Sequence, residues 1–144
     1  MDELNSVHEP NTTPPPTIFQ PRLLPVVEKA KSCYKNWILI HRNLPRTERF
    51  GIGQRIDNLF LDTLELLRQA TYAPLQQKTN LLTQSLGKID SLRFFIQISW
   101  ENHLISNDQF TALGTEVENI GKMLGGWRKG LQNKTPALKA GEDK

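Results

Sequence analysis

At 144 residues the chain has the length of one domain, and 38% hydrophobic residues can build a core without covalent staples. Its single cysteine excludes an internal disulfide, no run of eighteen apolar residues is present to cross a bilayer, and MDELNSVHEP lacks the basic and apolar regions of a signal peptide. A reducing, cytoplasmic setting without membrane insertion is therefore expected. The net charge is +3, but Arg22 to Arg55 holds eight basic residues against two acids, a local balance of +6. That bias fits either a solvated basic helix face or a surface for a polyanion such as nucleic acid.

Residues Met1 to Pro21 contain five of the nine prolines, with Pro14, Pro15 and Pro16 in a row, and almost no periodic apolar pattern. Such a stretch cannot repay the entropy of ordering, so 1–21 is expected to be a flexible or polyproline-like arm ahead of a folded domain at 22–131. Pro25 suits a first helical turn, and Ala30, Tyr34, Trp37, His41 and Leu44 then recur at steps of 4, 3, 4 and 3, which predicts a first helix ending near Asn43. Cys33 sits in that pattern beside Tyr34 and Trp37 and reads as a small buried residue. Lys31, Lys35 and Arg42 line up beside the apolar stripe as a short basic ridge.

The connector LPRTERF adds Arg46 and Arg49 around Pro45, with Thr47 as the candidate cap of the second helix. In that helix Ile52, Ile56, Leu59, Phe60, Thr63, Leu66, Leu67 and Ala70 cover one wide face, while Arg55, Asn58, Asp62, Glu65 and Gln69 stay off it, to about Ala73. Gly51 and Gly53 weaken its first turns by roughly 1 kcal/mol each relative to alanine, so a neighbour is expected to approach them closely.

Pro74 opens a third helix that continues to about Leu104, a rod of about 45 Å at about 1.5 Å per residue. Leu82, Ile89, Leu92, Ile96 and His103 share one face, with Trp100 at its edge. Phe94 and Ile98, one turn apart on the opposite side, suggest a second buried surface. Ser106 and Gln109 have capping-box spacing, and Phe110, Leu113, Val117, Ile120, Leu124, Trp127 and Leu131 form one stripe down a fourth helix. Gly114, Gly121 and Gly125 lie together beside that stripe and read as a packing groove for another helix. Residues 132–144 are polar and expected to be disordered. Helices joined this tightly pack antiparallel, so the expected fold is all-α, an antiparallel up-down four-helix bundle.

Candidate chemistry is sparse. His8 is in the arm, and His41 and His103 take core-facing helical positions, where a hydrogen-bonded packing histidine is expected in place of a ligand or base. No Gly-rich phosphate loop, serine elbow or paired-cysteine site is present, and Asp57, Asp62 and Glu65 lie on polar faces. No catalytic centre, metal site or cofactor is expected. Lys31, Lys35, Arg42, Arg46, Arg49 and Arg55 are the candidate phosphate contacts, with Arg49 and Arg55 open to pairing with Glu48 or Asp57 instead. Trp127 is either a stacking platform for bases or, from its place in the stripe, core.

Four stretches carry a resemblance: YKNW in the first helix, LPRTERFGIGQRIDNLFLDTLELLRQATY, LGKIDSLRFFIQISWENHLIS, and DQFTALGTEVENIGKMLGGWRK. In these residues the chain resembles the Avd-like accessory variability proteins of diversity-generating retroelements, within a larger four-helix-bundle family that includes proteins encoded in ribosomal RNA intervening sequences. The likeness spans about Val26 to Lys129. Pro45, Arg49, Gly53, Arg55, Ile56, Leu92, Arg93, Phe94, Ile120, Gly121, Met123, Leu124, Gly125, Gly126 and Trp127 carry most of it, and Trp100 and the proline-rich arm depart from it.

The resemblance implies a barrel-shaped homopentamer with a basic outer surface that binds nucleic acid, RNA or DNA, and the retroelement's reverse transcriptase. Such a protein supports mutagenic copying of a template repeat and does no chemistry itself. Phe94, Ile98, Gly114, Gly121 and Gly125 would then serve subunit contacts, and the six cations would meet phosphates. Three other classes stay open: an intervening-sequence type bundle with a structural or RNA-associated role and no reverse transcriptase partner, a small helical enzyme whose site forms between subunits, and an adaptor whose basic ridge takes an acidic protein.

Overall fold

The chain turns where proline or a capping serine interrupts its apolar period. The computed structural model describes residues 24–134, so the expectations for the arm at 1–21, for Arg22 and for most of the tail lie outside the described residues. Helix α1, Pro25–His41, starts on its proline and buries Val26, Val27, Ala30, Cys33 and Trp37. A short helix α2, Arg46–Phe50, and the long helix α3, Ile52–Tyr72, follow. Helix α4 is Leu75–Glu101 and helix α5 is Asn107–Asn133. The described residues form no strand.

Cross-helix bonds fix the topology. Asn36 of α1 donates to Glu116 of α5 at 3.1 Å, Lys88 of α4 pairs with Asp62 of α3 at 3.7 Å, and Arg128 near the end of α5 donates to Thr83 near the start of α4 at 3.4 Å. Asn36 lies late in α1 and Glu116 early in α5, Arg128 lies late in α5 and Thr83 early in α4, and Lys88 meets Asp62 at the middle of both helices. With the short α3–α4 connection these contacts fit α1, α3, α4 and α5 alternating up and down as an antiparallel four-helix bundle. The α4–α5 corner is set by a reciprocal cap: the Gln109 amide donates to the Ser106 hydroxyl at 3.1 Å, and the Ser106 amide donates to the Gln109 side chain at 2.9 Å.

The core follows the predicted stripes. Leu82, Ile89, Leu92 and Ile96 from α4 meet Leu113, Val117, Ile120 and Leu124 from α5, while Ile56, Leu59, Phe60 and Leu67 supply α3. Phe110 and Trp127 pack against this core from a half-buried position. Ser85 and Ser99 occupy positions on α4 that the apolar count passed over, each buried with its hydroxyl donated to the carbonyl one turn back, Leu81 and Phe95, at 2.9 Å. Cys33 is fully buried, and burial, reinforced by Glu116 and opposed by Lys29, pushes its thiol up to about 12.

Three expectations need correction. Thr47 does not cap the second long helix: Pro45 begins an extra helical turn, with the Arg49 amide donating to the Pro45 carbonyl at 2.8 Å, and Thr47 lies inside it. Helix α5 continues two residues past Leu131, through Asn133. His103 is neither helical nor core-facing. Helix α4 stops at Glu101, and His103 is exposed with φ 61°. The His103 amide donates to Trp100 at 3.0 Å and the Leu104 amide to Ser99 at 2.9 Å, the paired bonds of a left-handed helix terminator. Seven residues separate Ile96 from His103, so the helical period was met after the helix had ended.

That terminator favours glycine, because an L side chain in the left-handed region crowds its own carbonyl. His103→Gly is expected to raise stability by about 0.5–1 kcal/mol, read as a higher midpoint in urea with unchanged slope.

Candidate nucleic-acid interface

The basic end of the bundle is built on buried groups at the α1–α3 contact. His41, in the last turn of α1, stacks on Trp37 with ring centroids 5.2 Å apart. Its Nε2 lies 3.0 Å from the Arg49 carbonyl oxygen, and since that oxygen only accepts, Nε2 carries the hydrogen. One half-buried bond thus ties α1 to the far end of α2, and His41 is the hydrogen-bonded packing histidine that its position predicts. On its other side Nδ1 lies 3.8 Å from Asp57 Oδ1, which accepts the Tyr34 hydroxyl at 2.9 Å. Burial, and then that bond, push the Tyr34 phenol up to about 12.

Gly53 is what lets α3 come this close. A Cβ there would stand 2.8 Å from His41 Cδ2, 2.9 Å from Leu44 Cδ1 and 3.0 Å from the Glu48 carbonyl oxygen. The close approach expected of this glycine is therefore present, and it is the corner carrying the arginines that approaches.

The six candidate cations decorate this scaffold unequally. Lys31 and Lys35 are exposed on α1, and Lys31 is partly neutralised by Glu28 at 3.3 Å. Arg42 caps α1, Arg46 opens α2, and both are exposed. Arg55 is exposed on the first turns of α3, with its guanidinium 5.6 Å from the Phe95 ring centroid. Arg49 is half-buried; its Nε is buried without a hydrogen-bond partner among the described residues, and its guanidinium lies 5.8 Å from the Phe50 ring centroid. Neither Arg49 nor Arg55 pairs with Glu48 or Asp57. Lys35, Arg42, Arg46, Arg49 and Arg55 make no ion pair with any described residue, whereas Arg68, Lys88 and Arg93 elsewhere all do. Around this corner the described residues leave these five cations without ion-pair partners.

The family model described as bAvd-like matches residues 24–131, three quarters of the chain. The chain belongs to the bAvd-like family. No curated protein matches it significantly. The matched residues take in the whole of the corner just described and nearly the whole of the four-helix bundle.

In this bAvd-like fold the residues assigned to subunit contacts fall into two groups. Gly121 is used inside the protomer: a Cβ there would lie 2.7 Å from an Arg93 guanidinium nitrogen, and Arg93 pairs across the helices with Glu118 of α5 and along its own helix with Asp90. Gly114 and Gly125 face open space, and Phe94 is 61% exposed beside a half-buried Ile98. Gly114 also lines a groove of about 500 Å³ between α4 and α5, together with Phe110, Arg93 and Lys122. Among the described residues no group of three or more His, Cys, Asp or Glu could hold a metal ion, and no helix is long and apolar enough to cross a membrane.

Two features of the bAvd-like chain escaped the sequence reading. Phe50, at the end of α2, is 69% exposed in the middle of the arginines, and its signal was an aromatic residue that fits no stripe. Lys122, Arg128 and Lys129 on α5, with Lys134 just past its end, form a second basic run, with no acid between Asn119 and Lys134.

Because two of the three atoms facing Gly53 belong to packed side chains and the third is backbone, Gly53→Ala cannot be absorbed by a single rotation. It is expected to cost about 1–3 kcal/mol in a urea titration.

Proposed function

We propose that this protein is a non-catalytic, nucleic-acid-binding accessory protein of a diversity-generating retroelement, binding the element's reverse transcriptase and its RNA template or cDNA and supporting mutagenic reverse transcription. The observation that carries the reading is the match to the bAvd-like family over the segment where Lys35, Arg42, Arg46, Arg49 and Arg55 stand without ion-pair partners among the described residues. Uncompensated surface cations bind phosphate by releasing counterions, which needs no base contact and reads no sequence. Binding orients strand and polymerase, and bond making belongs to the polymerase.

Assembly is part of the proposal. Five copies in a barrel-shaped homopentamer would convert five weak sets of phosphate contacts into one avid surface. Phe94, Ile98, Gly114 and Gly125 are the residues whose placement within the protomer leaves them free for a neighbour, and Gly121 contributes through the Arg93 bridge that covers it. In a lone protomer Gly125→Ala fills open space on a helix and gains about 1 kcal/mol of helix propensity. If the glycine admits a neighbouring subunit, the same change lowers the mass seen by light scattering below five times 16.5 kDa while the protomer stays folded. A particle that keeps its full mass removes Gly125 from the interface.

The nucleic-acid claim is tested with labelled RNA across a salt series. Changing Lys35, Arg42 and Arg46 together to alanine is expected to weaken binding and to flatten the slope of log affinity against log salt by about 2, at about 0.7 per lost phosphate contact on a single strand. A folded protein that ignores RNA at low salt refutes it. Copurification of the reverse transcriptase, retained by the triple variant after nuclease treatment, would assign the transcriptase to a different face from the RNA.

A further inference from the structure

Phe50 is the most exposed large hydrophobic side chain among the described residues, at 69%, ahead of Tyr72 at 63% and Phe94 at 61%. A single exposed aromatic is ordinary on a protein surface. Its setting is what separates it from the other two. Tyr72 follows the neutralised Glu65–Arg68 pair by one turn, and Phe94 packs edge-on against Phe95 with centroids 5.3 Å apart. Phe50 stands beside cations that make no ion pair with any described residue: Arg49 lies against its ring at 5.8 Å, and Arg46 precedes it by four residues on the same face of α2.

The backbone under the ring is fixed. The His41 bond to the Arg49 carbonyl and the tight fit of Gly53 against His41, Leu44 and Glu48 hold the helix that ends in Phe50, so the ring is presented at a set place. With the Arg49 guanidinium over one part of the ring, more than half of the side chain still faces solvent.

We propose that Phe50 is a stacking platform for an unpaired nucleobase, so that the basic end of this bundle takes single-stranded RNA or DNA in preference to duplex. The inference rests on the nucleic-acid reading above and adds to it the ligand's strandedness and the residue that reads it. A base in a duplex has both faces covered by its neighbours; a base in a single strand can offer one to an aromatic ring. Arg46, one helical turn away at about 5.4 Å, is within the reach that separates a base from the phosphate of its own nucleotide. The Arg49 guanidinium against the ring adds its own attraction for the stacked pair.

The test compares the full chain, Phe50→Ala, Phe50→Trp and Arg46→Ala by fluorescence anisotropy on a labelled single strand of about 20 nucleotides, as RNA and as DNA, and on the duplex of the same sequence. Phe50→Ala is expected to weaken single-strand binding about 5- to 150-fold and to leave the duplex within about twofold, with the salt slope unchanged because no charge is lost. Phe50→Trp restores the single strand. Arg46→Ala weakens single strand and duplex together and flattens the slope. A loss confined to RNA or to DNA supports the platform and names its strand.

If Phe50→Ala weakens both ligands equally, weakens neither, or lowers the particle mass in light scattering, Phe50 is not a base platform, and the last result makes it a subunit contact. A wild-type chain that binds no strand at low salt removes the nucleic-acid reading itself, an outcome distinct from a wild-type chain that binds while Phe50→Ala is indifferent.

Discussion

The hydrogen bond from His41 to the Arg49 carbonyl is the contact on which the basic end of the molecule depends. α2 is only five residues of helix, far below the length at which a helix persists in water, and this bond, with the fit of Gly53 against Glu48, ties it to the bundle. With it, α2 becomes an extension of α1, because the imidazole is itself clamped between Trp37 and the α3 helix that Gly53 admits. The Tyr34 hydroxyl and Asp57 complete the far side of the same ring. A small number of half-buried polar contacts therefore decides where the cations of this corner stand.

Two of those charges, Arg46 and Arg55, are placed against the local electrostatics. Arg42 at the end of α1 is favourable, since a helix C-terminus attracts cations. Arg46 opens α2, and α3 has no acidic residue in its first turn and carries Arg55 instead, so these cations sit at the positive ends of helices. Elsewhere the chain obeys the opposite rule, with Glu28 in the first turn of α1 and Asp108 in that of α5. Each unfavourable placement is worth only about 0.3–1 kcal/mol at an exposed site, which a bundle of this size tolerates. A polyanion at the same spot turns every one of them to advantage, and local conflicts of this kind are commonest where a protein meets something else.

Four long helices, their antiparallel order and the cap at Ser106 were legible from sequence because each is written in a period or a spacing, and periods survive without knowledge of the partner. The corner was not. Five residues of α2 are too few to show a helical period, and Thr47 has the chemistry of a cap whether or not a cap is needed. His103 obeyed the α4 period by arithmetic after the backbone had turned left-handed. Ser85 and Ser99 were invisible for a different reason: their hydroxyls are satisfied by their own helix, so burial costs little, and hydrophobicity does not report that. Which cations are free of partners is a matter of three dimensions, and sequence could name Arg49 and Arg55 as ambiguous but could not settle them.

Gly53, Gly121, Gly114 and Gly125 make the same point about what a single protomer explains. Two of these glycines have their reason inside the chain, in the His41 corner and beneath the Arg93 bridge. The other two have none there, and glycine within a helix costs about 1 kcal/mol relative to alanine. They lie eleven residues apart on α5, about 16 Å of its length, which is the scale of a helix-to-helix contact and not of a point contact. Phe94 on the neighbouring helix is costly in a different way, since its apolar surface stays in water. In the proposed assembly one event removes both costs: a second helix covers the phenylalanine and approaches the bare backbone. Such an interface draws on α4 and α5, whereas the arginines without ion-pair partners among the described residues stand at the end of α1 and on α2 and α3. Each copy added would then bring its own basic corner, and the total binding energy would grow with subunit number while no single corner had to bind tightly.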